Sequence, residues 1–434
     1  AIGIFDIKSG SLIGNQTRTN CQTMYGSDVM MRIMHCINGK EQLLHNILIE
    51  QIEDMTGSIL DNNFSGHKSN IQSKISSKIV SKESDKIPDI VIKKMVVVGN
   101  TTMCHIFLNK DVTGLKGAPF SVAYEGVYRT NSYDIGFKIY DIDEVIVLPN
   151  IMAHVGADAA AVLCKEKMYK TGINEIAIDI GTNAEILLNC SGKVFVTSTA
   201  AGPAFEGKGI RSGMRAAPGA INSVKISRVN GNIILGMLDD GKAENPRGLC
   251  GSGLIDAISE LMKARLLKKD GYLLTREEAL RQNVNINLCE HLKSDDKDGN
   301  CFILSEENNI VITQKDIRNV QLAKGAIQAG CEILLKKAGI GLNDINSIKI
   351  AGVFGKYIHV SQAMNFGLFP KYPEKLEIVG NAAGDGAAMA LFEDGFIDEM
   401  EKQVKKVHHV ELAGEKDFQK KFMNAMELKE WYYN

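Results

Sequence analysis

Residues 175–199 constrain the fold of this chain more than any other stretch. Ile176–Ile178 is a short run that is apolar on both faces, which is typical of a strand buried inside a sheet. The polar segment 179–183 follows, and a second apolar run then leads to a turn at Ser191-Gly192. The pattern therefore predicts a buried strand, a tight polar loop, and a hairpin of two further strands.

The polar segment 179–183 also has the composition of a phosphate-binding loop. Gly181 lets the backbone approach a ligand closely, and successive N–H groups with the side chains of Thr182 and Asn183 can form an anion-binding concavity. The carboxylate of Asp179 could hold Mg²⁺ through water. Because D-x-G-T is short and common, an ordinary hairpin with an Asp-Gly turn explains the same residues, and both interpretations stay open.

Composition narrows the class of protein. A net charge of −2 and only 6% aromatic residues give no support for a nucleic-acid partner. With 434 residues, 44% of them hydrophobic, the chain is long enough for two lobes with their own cores. No apolar stretch reaches the length of a membrane span, and the N-terminal residues lack a signal-peptide pattern. We therefore expect a cytoplasmic protein with no membrane partner.

The nine cysteines are scattered along the chain and form no C-x-x-C pair. An odd, dispersed set is typical of reduced thiols that are mostly buried as small hydrophobic side chains. The spacing argues against an iron–sulfur cluster or a structural zinc held by these residues.

The two halves of the sequence repeat one plan of elements. The first half has a hairpin at 2–13, a strand ending at Gly99-Asn100, and a strand with a helix of small residues over 144–163. The second half has the counterparts at 184–196, 347–355 and 376–391. Such a repeat predicts a duplicated α/β fold. Aligning the two hairpins would place the partner of the 179–183 loop before Ala1, so we expect the chain to begin one strand and one loop late.

The stretch 198–219 is rich in glycine and proline and predicts a long functional loop. Glu206 could order water or Mg²⁺, and Lys208, Arg211 and Arg215 could meet phosphate or a partner. A solvated connector with surface charge explains these residues equally well.

A set of short motifs, taken together in this order, resembles the reductive activators of corrinoid proteins within the actin, sugar kinase and chaperone ATPase superfamily. The motifs are Val98–Met103, Leu148–Asn150, Asp179–Asn183, Ala201–Gly207, Gly213–Ala220, Cys250–Asp256 and Gly380–Gly384. The resemblance implies an α/β, duplicated actin-like (ribonuclease H-like) ATPase fold with two lobes and a nucleotide cleft between them. It places residues 1–165 in the first lobe, with 385–434 packing back on it, and 172–384 in the second.

The resemblance also implies a function and a set of site residues. Such proteins use ATP to return an inactive Co(II) corrinoid in a methyl-transfer partner to Co(I), with an electron from a low-potential donor. The implied site comprises catalytic Asp179 and Glu206; nucleotide-binding Gly181, Thr182, Asn183, Gly202, Gly352, Val353, Phe354, Gly355 and Gly384; and Asp179 with Asp158 for Mg²⁺, bound through water. Asp385, like Asp158, is expected to line the cleft.

The sequence departs from the family pattern because it lacks the iron–sulfur domain, usually N-terminal, that supplies the electron. We therefore expect the chain to be the ATPase and docking part, and to be inactive in reduction when isolated. Two alternatives stay open, namely a small-molecule kinase of the same superfamily and a non-catalytic docking module. The identity of the corrinoid partner, the electron donor and the oligomeric state, with a homodimer as one option, stay open as well.

Overall fold

The computed structural model describes residues 1–26, 28–64, 90–238, 245–352 and 358–432. They divide into two compact units. The first unit comprises 1–165 and 383–406, and the second comprises 166–382 and 407–434. No helix in the described ranges has both the length and the apolar content needed to cross a membrane.

The first unit begins with a hairpin and continues as a small α/β layer. Its elements up to residue 165 are β1 (Ile2–Phe5), β2 (Leu12–Gln16), α1 (Val29–His35), α2 (Glu41–Asn63), β3 (Lys94–Val97), α3 (Thr101–Phe107), β4 (Tyr128–Thr130), α4 (Ser132–Ile135), β5 (Glu144–Val147) and α5 (Ala157–Lys165). β3 and β5 are parallel, and β4 joins β5 in the antiparallel sense. Helix α2 ends at Asn63, and residues 65–89 lie outside the described residues.

The second unit contains the main sheet and most of the helices. Its elements, with the two helices that return to the first unit, are β6 (Glu175–Ile180), β7 (Ala184–Cys190), β8 (Lys193–Thr199), β9 (Ala220–Ile226), β10 (Ile233–Met237), β11 (Gly248–Leu249), α6 (Gly251–Lys263), α7 (Arg276–Arg281), α8 (Ile286–Glu290), β12 (Leu292–Asp295), β13 (Gly299–Ser305), β14 (Ile310–Thr313), α9 (Gln314–Ala338), β15 (Ser347–Ala351), α10 (Val360–Asn365), β16 (Leu376–Gly380), α11 (Ala382–Phe392), α12 (Phe396–Val404), β17 (His408–His409) and α13 (Phe418–Ala425).

The main sheet has the strand order β16-β15-β6-β7-β8-β17. β6, β7 and β8 form the predicted antiparallel meander, while β15 runs parallel to β6 and to β16. The turn between β7 and β8 uses Ser191 and Gly192 with φ of 49° and 93°, the left-handed pair that a tight hairpin turn requires. The buried side chains of β6 and β7 explain why most residues of these strands are apolar.

The repeat of elements is visible in both units, although the hairpins differ in their setting. β7 and β8 continue the main sheet, whereas β1 and β2 form a two-stranded sheet of their own among the described strands. The equivalence of the two hairpins therefore stays a prediction. The small-residue helices pack closely, since a Cβ at Gly386 of α11 would lie 2.7 Å from the carbonyl oxygen of Ala161 in α5. Close helix packing accounts for these small faces.

The C-terminal segment corrects one sequence expectation. Residues 383–406 belong to the first unit, but 407–434 belong to the second, not to the first lobe as the sequence suggested. The reason is that β17 pairs with β8 and α13 packs along α9. The backbone of Pro370 also bridges to Trp431, whose side chain is buried.

Candidate functional site

The candidate site lies at the carboxyl ends of β6 and β15. Ala351 is paired with Asp179 in the parallel register, so both strands end side by side and Asp179 is partly exposed at the end of a buried strand. Gly352 follows with φ of 101°, and its N–H donates to the carbonyl oxygen of Gly380 at 2.8 Å. A Cβ at this position would lie 2.8 Å from the carbonyl oxygen of Ile180 and 3.0 Å from Oδ1 of Asp179.

This close approach makes Gly352 a testable position. We expect Gly352→Ala to lower the free energy of unfolding by about 1–2 kcal/mol, because the new side chain demands an unfavourable φ and displaces Asp179. Chemical denaturation measures the change. Gly172→Ala is the matched control, since a Cβ there meets nothing within 4 Å and its φ is not positive. Equal effects of the two substitutions would contradict the prediction.

The loop between β6 and β7 presents hydrogen-bond donors in a fixed arrangement. The N–H of Gly181 donates to the carbonyl oxygen of Asn183 at 2.9 Å, and the N–H of Gly202 donates to that of Thr182 at 2.8 Å. The N–H groups of Thr182 and Asn183 have no partner among the described residues. The donors left for an anion are therefore these two N–H groups and the Asn183 amide, while Gly181 shapes the loop.

Glu206 is brought to the same loop by a short turn. Its Oε1 accepts a hydrogen bond from the hydroxyl of Thr182 at 2.8 Å, and its Oε2 lies 3.1 Å from Nζ of Lys208. The carbonyl oxygen of Pro203 accepts from the N–H groups of both Glu206 and Lys208, which closes the turn. The structure thus places seven predicted residues in one region of the second unit: Asp179, Gly181, Thr182, Asn183, Gly202, Glu206 and Gly352.

The rest of the 198–219 stretch is anchored and is not a free loop. Arg211 binds Asp298 at 2.8 Å and its N–H donates to the buried Asp316 at 2.8 Å. The hydrogen bond that Arg211 donates to Asp298 raises the pKa of Arg211 above its ordinary value. The suggested contact of Arg211 with phosphate is therefore not supported, because the guanidinium already binds carboxylates.

The other predicted residues lie in the first unit or outside the described residues. Asp158 lies in the first turn of α5 in the first unit. Its Oδ1 accepts from the N–H of Ala159 at 2.9 Å, and burial raises its pKa to about 6. Gly384 lies in the first turn of α11, also in the first unit. Val353, Phe354 and Gly355 lie outside the described residues.

The charged groups at the site restrict the metal that it could hold. In the described ranges, no group of three or more His, Cys, Asp or Glu side chains could hold a metal ion. A transition-metal centre needs such a group, whereas Mg²⁺ keeps several waters and uses one or two carboxylates together with phosphates. The single carboxylate of Asp179, partly exposed beside the loop donors, fits the second case.

Sequence reasoning missed a histidine–carboxylate pair in the second unit. Nδ1 of His359 lies 2.8 Å from Oδ2 of the buried Asp256, although 103 residues separate them. Asp256 lies in the motif Cys250–Asp256, which was the only signal that could have drawn attention to it. Nothing in the sequence around His359 indicates its partner.

Comparisons with known proteins agree with the fold. The family described as the C-terminal domain of RACo, the ASKHA domain, matches residues 174–433, and the RACo middle region matches 1–77 and 68–171. The chain therefore has the fold of the actin-like, nucleotide-binding ATPases, as the sequence predicted. Within that class, the chain belongs to the RACo family of reductive activators of corrinoid proteins.

Individual relatives lead to the same family. The chain is 34% identical to the corrinoid activation enzyme RamQ of Eubacterium limosum, over 97% of this chain and 67% of that protein. It is 26% identical to the [Co(II) methylated amine-specific corrinoid protein] reductase of Methanosarcina barkeri, over 78% and 63%. A solved structure of a reductive activator for corrinoid, iron-sulfur protein has a TM-score of 0.84 and 28% identity, with 99% of this chain and 64% of that chain covered. The chain thus spans about two thirds of the length of these relatives.

Proposed function

We propose that this chain is the ATP-hydrolysing and docking part of an activator that restores Co(I) in a corrinoid methyl-transfer protein. In the complete reaction, one electron from a low-potential iron–sulfur donor reduces Co(II) to Co(I), and ATP and water give ADP and phosphate. The observation that carries the proposal is the convergence of Asp179, the Thr182–Asn183 donors and Glu206 at one sheet end. A chain of this family needs a phosphate site at such a place.

Each group at the site has a separate role in the proposal. The N–H groups of Thr182 and Asn183 bind phosphate oxygens, and the carboxylate of Asp179 holds Mg²⁺ through water. The Mg²⁺ ion, when bound, neutralises charge on the phosphates. Glu206 already accepts a hydrogen bond from Thr182 at 2.8 Å, so its carboxylate is fixed close to the phosphate donors and can orient the attacking water.

Several finer parts of the function stay predictions. Asp158 and Gly384 of the first unit, and the segment 353–355, are expected to contribute to Mg²⁺ and nucleotide binding. The iron–sulfur donor, the particular corrinoid protein, a homodimer and a cytoplasmic location are further predictions. None of these predictions concerns the described residues of the second unit.

Partner-dependent hydrolysis tests the proposal. We expect the Co(II) form of a methyl-transfer corrinoid protein to bind the chain and to raise its rate of ATP hydrolysis. Glu206→Gln should lower that rate by about a hundredfold with little loss of ATP affinity, because it removes the group that orients water. Glu307→Gln, at an exposed position, is the matched control. Phosphate release and calorimetry measure the two quantities.

Two results would contradict the proposal. Hydrolysis that is indifferent to the corrinoid protein would remove the link to activation, and transfer of phosphate to a small hydroxylated acceptor would favour a kinase. Absorption spectroscopy of the cobalt provides the decisive further measurement. ATP-dependent formation of Co(I) is expected once an iron–sulfur donor domain is supplied together with this chain.

A further inference from the structure

Helices α6 and α10 of the second unit meet through a polar contact in which almost every group is paired. The hydroxyl of Ser259 and the ammonium of Lys263 both donate to Oε1 of Gln362 at 2.6 Å. Nε2 of Gln362 donates to Oε1 of Glu260 at 3.0 Å, and the Asn365 amide donates to Ser259 at 3.0 Å. These five side chains are satisfied by one another and need no ligand.

The histidine–carboxylate pair at the end of this contact is different. Both carboxylate oxygens of Asp256 lie within 3.0 Å of Nδ1 of His359, and Oδ2 also accepts from the N–H of Val224 at 3.2 Å. The side chain of Asp256 is 3% exposed, whereas that of His359 is 48% exposed. A buried carboxylate on Nδ1 fixes the imidazole with its proton on that nitrogen.

With the proton on Nδ1, Nε2 of His359 is an acceptor on a half-exposed side chain. In the neutral imidazole the nitrogen without the proton carries a lone pair, and Nε2 has no partner among the described residues. Burial raises the pKa of Asp256 while the neighbouring imidazole opposes that rise. An anion is a poor ligand here, because the lone pair and the carboxylate behind it both repel negative oxygen atoms. A ligand of this neutral form must donate a hydrogen bond to Nε2.

The position of the His359–Asp256 pair in the second unit indicates which ligand group donates the hydrogen bond. Helix α6, which carries Asp256, packs both against α10 and against the turn Ala204–Glu206. His359 immediately precedes α10, and the helix on which α10 packs is in contact with the turn that carries Glu206. The phosphate donors are on the β6–β7 loop, and no side chain of the described residues has yet been given a hydrogen bond to the uncharged part of the nucleotide.

We propose that Nε2 of His359 accepts a hydrogen bond from the nucleoside part of the bound ATP. This inference rests on the proposed function, since it assigns a further contact to the same nucleotide. The donor is either a ribose hydroxyl or the exocyclic amine of adenine. Asp256 acts through His359 as a positioning residue, because it selects the tautomer that leaves Nε2 as the acceptor.

Calorimetric titration at pH 8 with nucleotide analogues tests this contact. Loss of one such hydrogen bond should weaken ATP binding to His359→Ala about fivefold to tenfold. Wild-type protein should discriminate by the same factor against 2′-deoxy-ATP, 3′-deoxy-ATP or inosine triphosphate, whichever lacks the donor. His359→Ala should bind that analogue and ATP with equal affinity. Inorganic tripolyphosphate should bind both proteins alike, because it has no nucleoside.

Two controls separate this contact from a purely structural role. His408→Ala removes an exposed histidine elsewhere in the second unit and should keep wild-type discrimination. Asp256→Asn should lose the discrimination although His359 is intact, since the amide can bind the other tautomer. Unchanged discrimination in His359→Ala would overturn the inference and leave the proposed function standing. Failure of the wild-type chain to bind any nucleotide would overturn both.

Discussion

Replacing Asp179 by Asn should abolish Mg²⁺-dependent ATP binding and lower the rate of ATP hydrolysis by about a thousandfold. The substitution keeps the size of the side chain but removes the charge at the end of β6. A neutral amide cannot hold the water shell of a hard divalent cation as a carboxylate does. Calorimetry with Mg²⁺-ATP, compared with ATP in the presence of a chelator, measures the metal-dependent part of the affinity.

The geometry around Asp179 makes the expected loss specific. The carboxylate of Asp179 lies beside Gly352, where no Cβ fits. The donors of Thr182 and Asn183 lie in the loop that follows the same strand. ATP without metal should bind the variant and the wild type alike, because those donors are untouched. Asp296→Asn removes an exposed carboxylate in the turn between β12 and β13 and should change neither quantity. An unaltered titration with Mg²⁺-ATP in Asp179→Asn would reject the assigned role.

Local signals in the sequence were sufficient for the elements that carry the site. The apolar run of β6 and the glycine after Ser191 predict the strand and the turn, because burial and a positive φ leave few other residue types. The start of α9 also has a local signal, because Thr313 and Asp316 stand three residues apart and form reciprocal capping hydrogen bonds. The matches to the RACo family confirm the fold class that the motifs implied.

Contacts between residues far apart in the sequence could not be predicted in this way. Arg211 meets Asp298 across 87 positions, and His359 meets Asp256 across 103. The placement of 407–434 on the second unit depends on the pairing of β17 with β8, which only the folded sheet brings together. The packing of the folded chain determines which of these residues meet. A positively charged residue in a loop has the same local sequence pattern whether it binds phosphate or a carboxylate.

Lys324 in α9 is the second residue with a large expected effect, and the effect is on stability. Its side chain is 1% exposed, and its ammonium group donates to Gln328 and to the backbone carbonyl oxygens of Ala425 and Glu427. These contacts satisfy backbone carbonyl groups at the C-terminal end of α13. Those carbonyl groups would otherwise lack helical partners. Burial lowers the pKa of Lys324 to about 7, and the positive charge of Lys429 adds to the shift.

The lowered pKa makes the stability of the second unit depend on pH in a predictable direction. The unfolded chain keeps the proton of Lys324 up to its ordinary pKa of about 10.5, whereas the folded chain releases it near pH 7. Between these values the unfolded state binds more protons, so stability should rise as the pH rises. From pH 7 to pH 9 the gain relative to Lys324→Met should be about 2 kcal/mol.

Urea unfolding of wild type and Lys324→Met at pH 7, 8 and 9 measures this gain, and the variant should lack the part of the slope that Lys324 causes. Because Lys429, Glu427 and Glu332 are present in both proteins, their own titration cancels to first order in the comparison. Lys420→Met, at an exposed position on α13, should keep the wild-type slope. Parallel curves for wild type and Lys324→Met would show that the buried ammonium keeps its proton throughout, because three oxygen acceptors then outweigh the cost of burial.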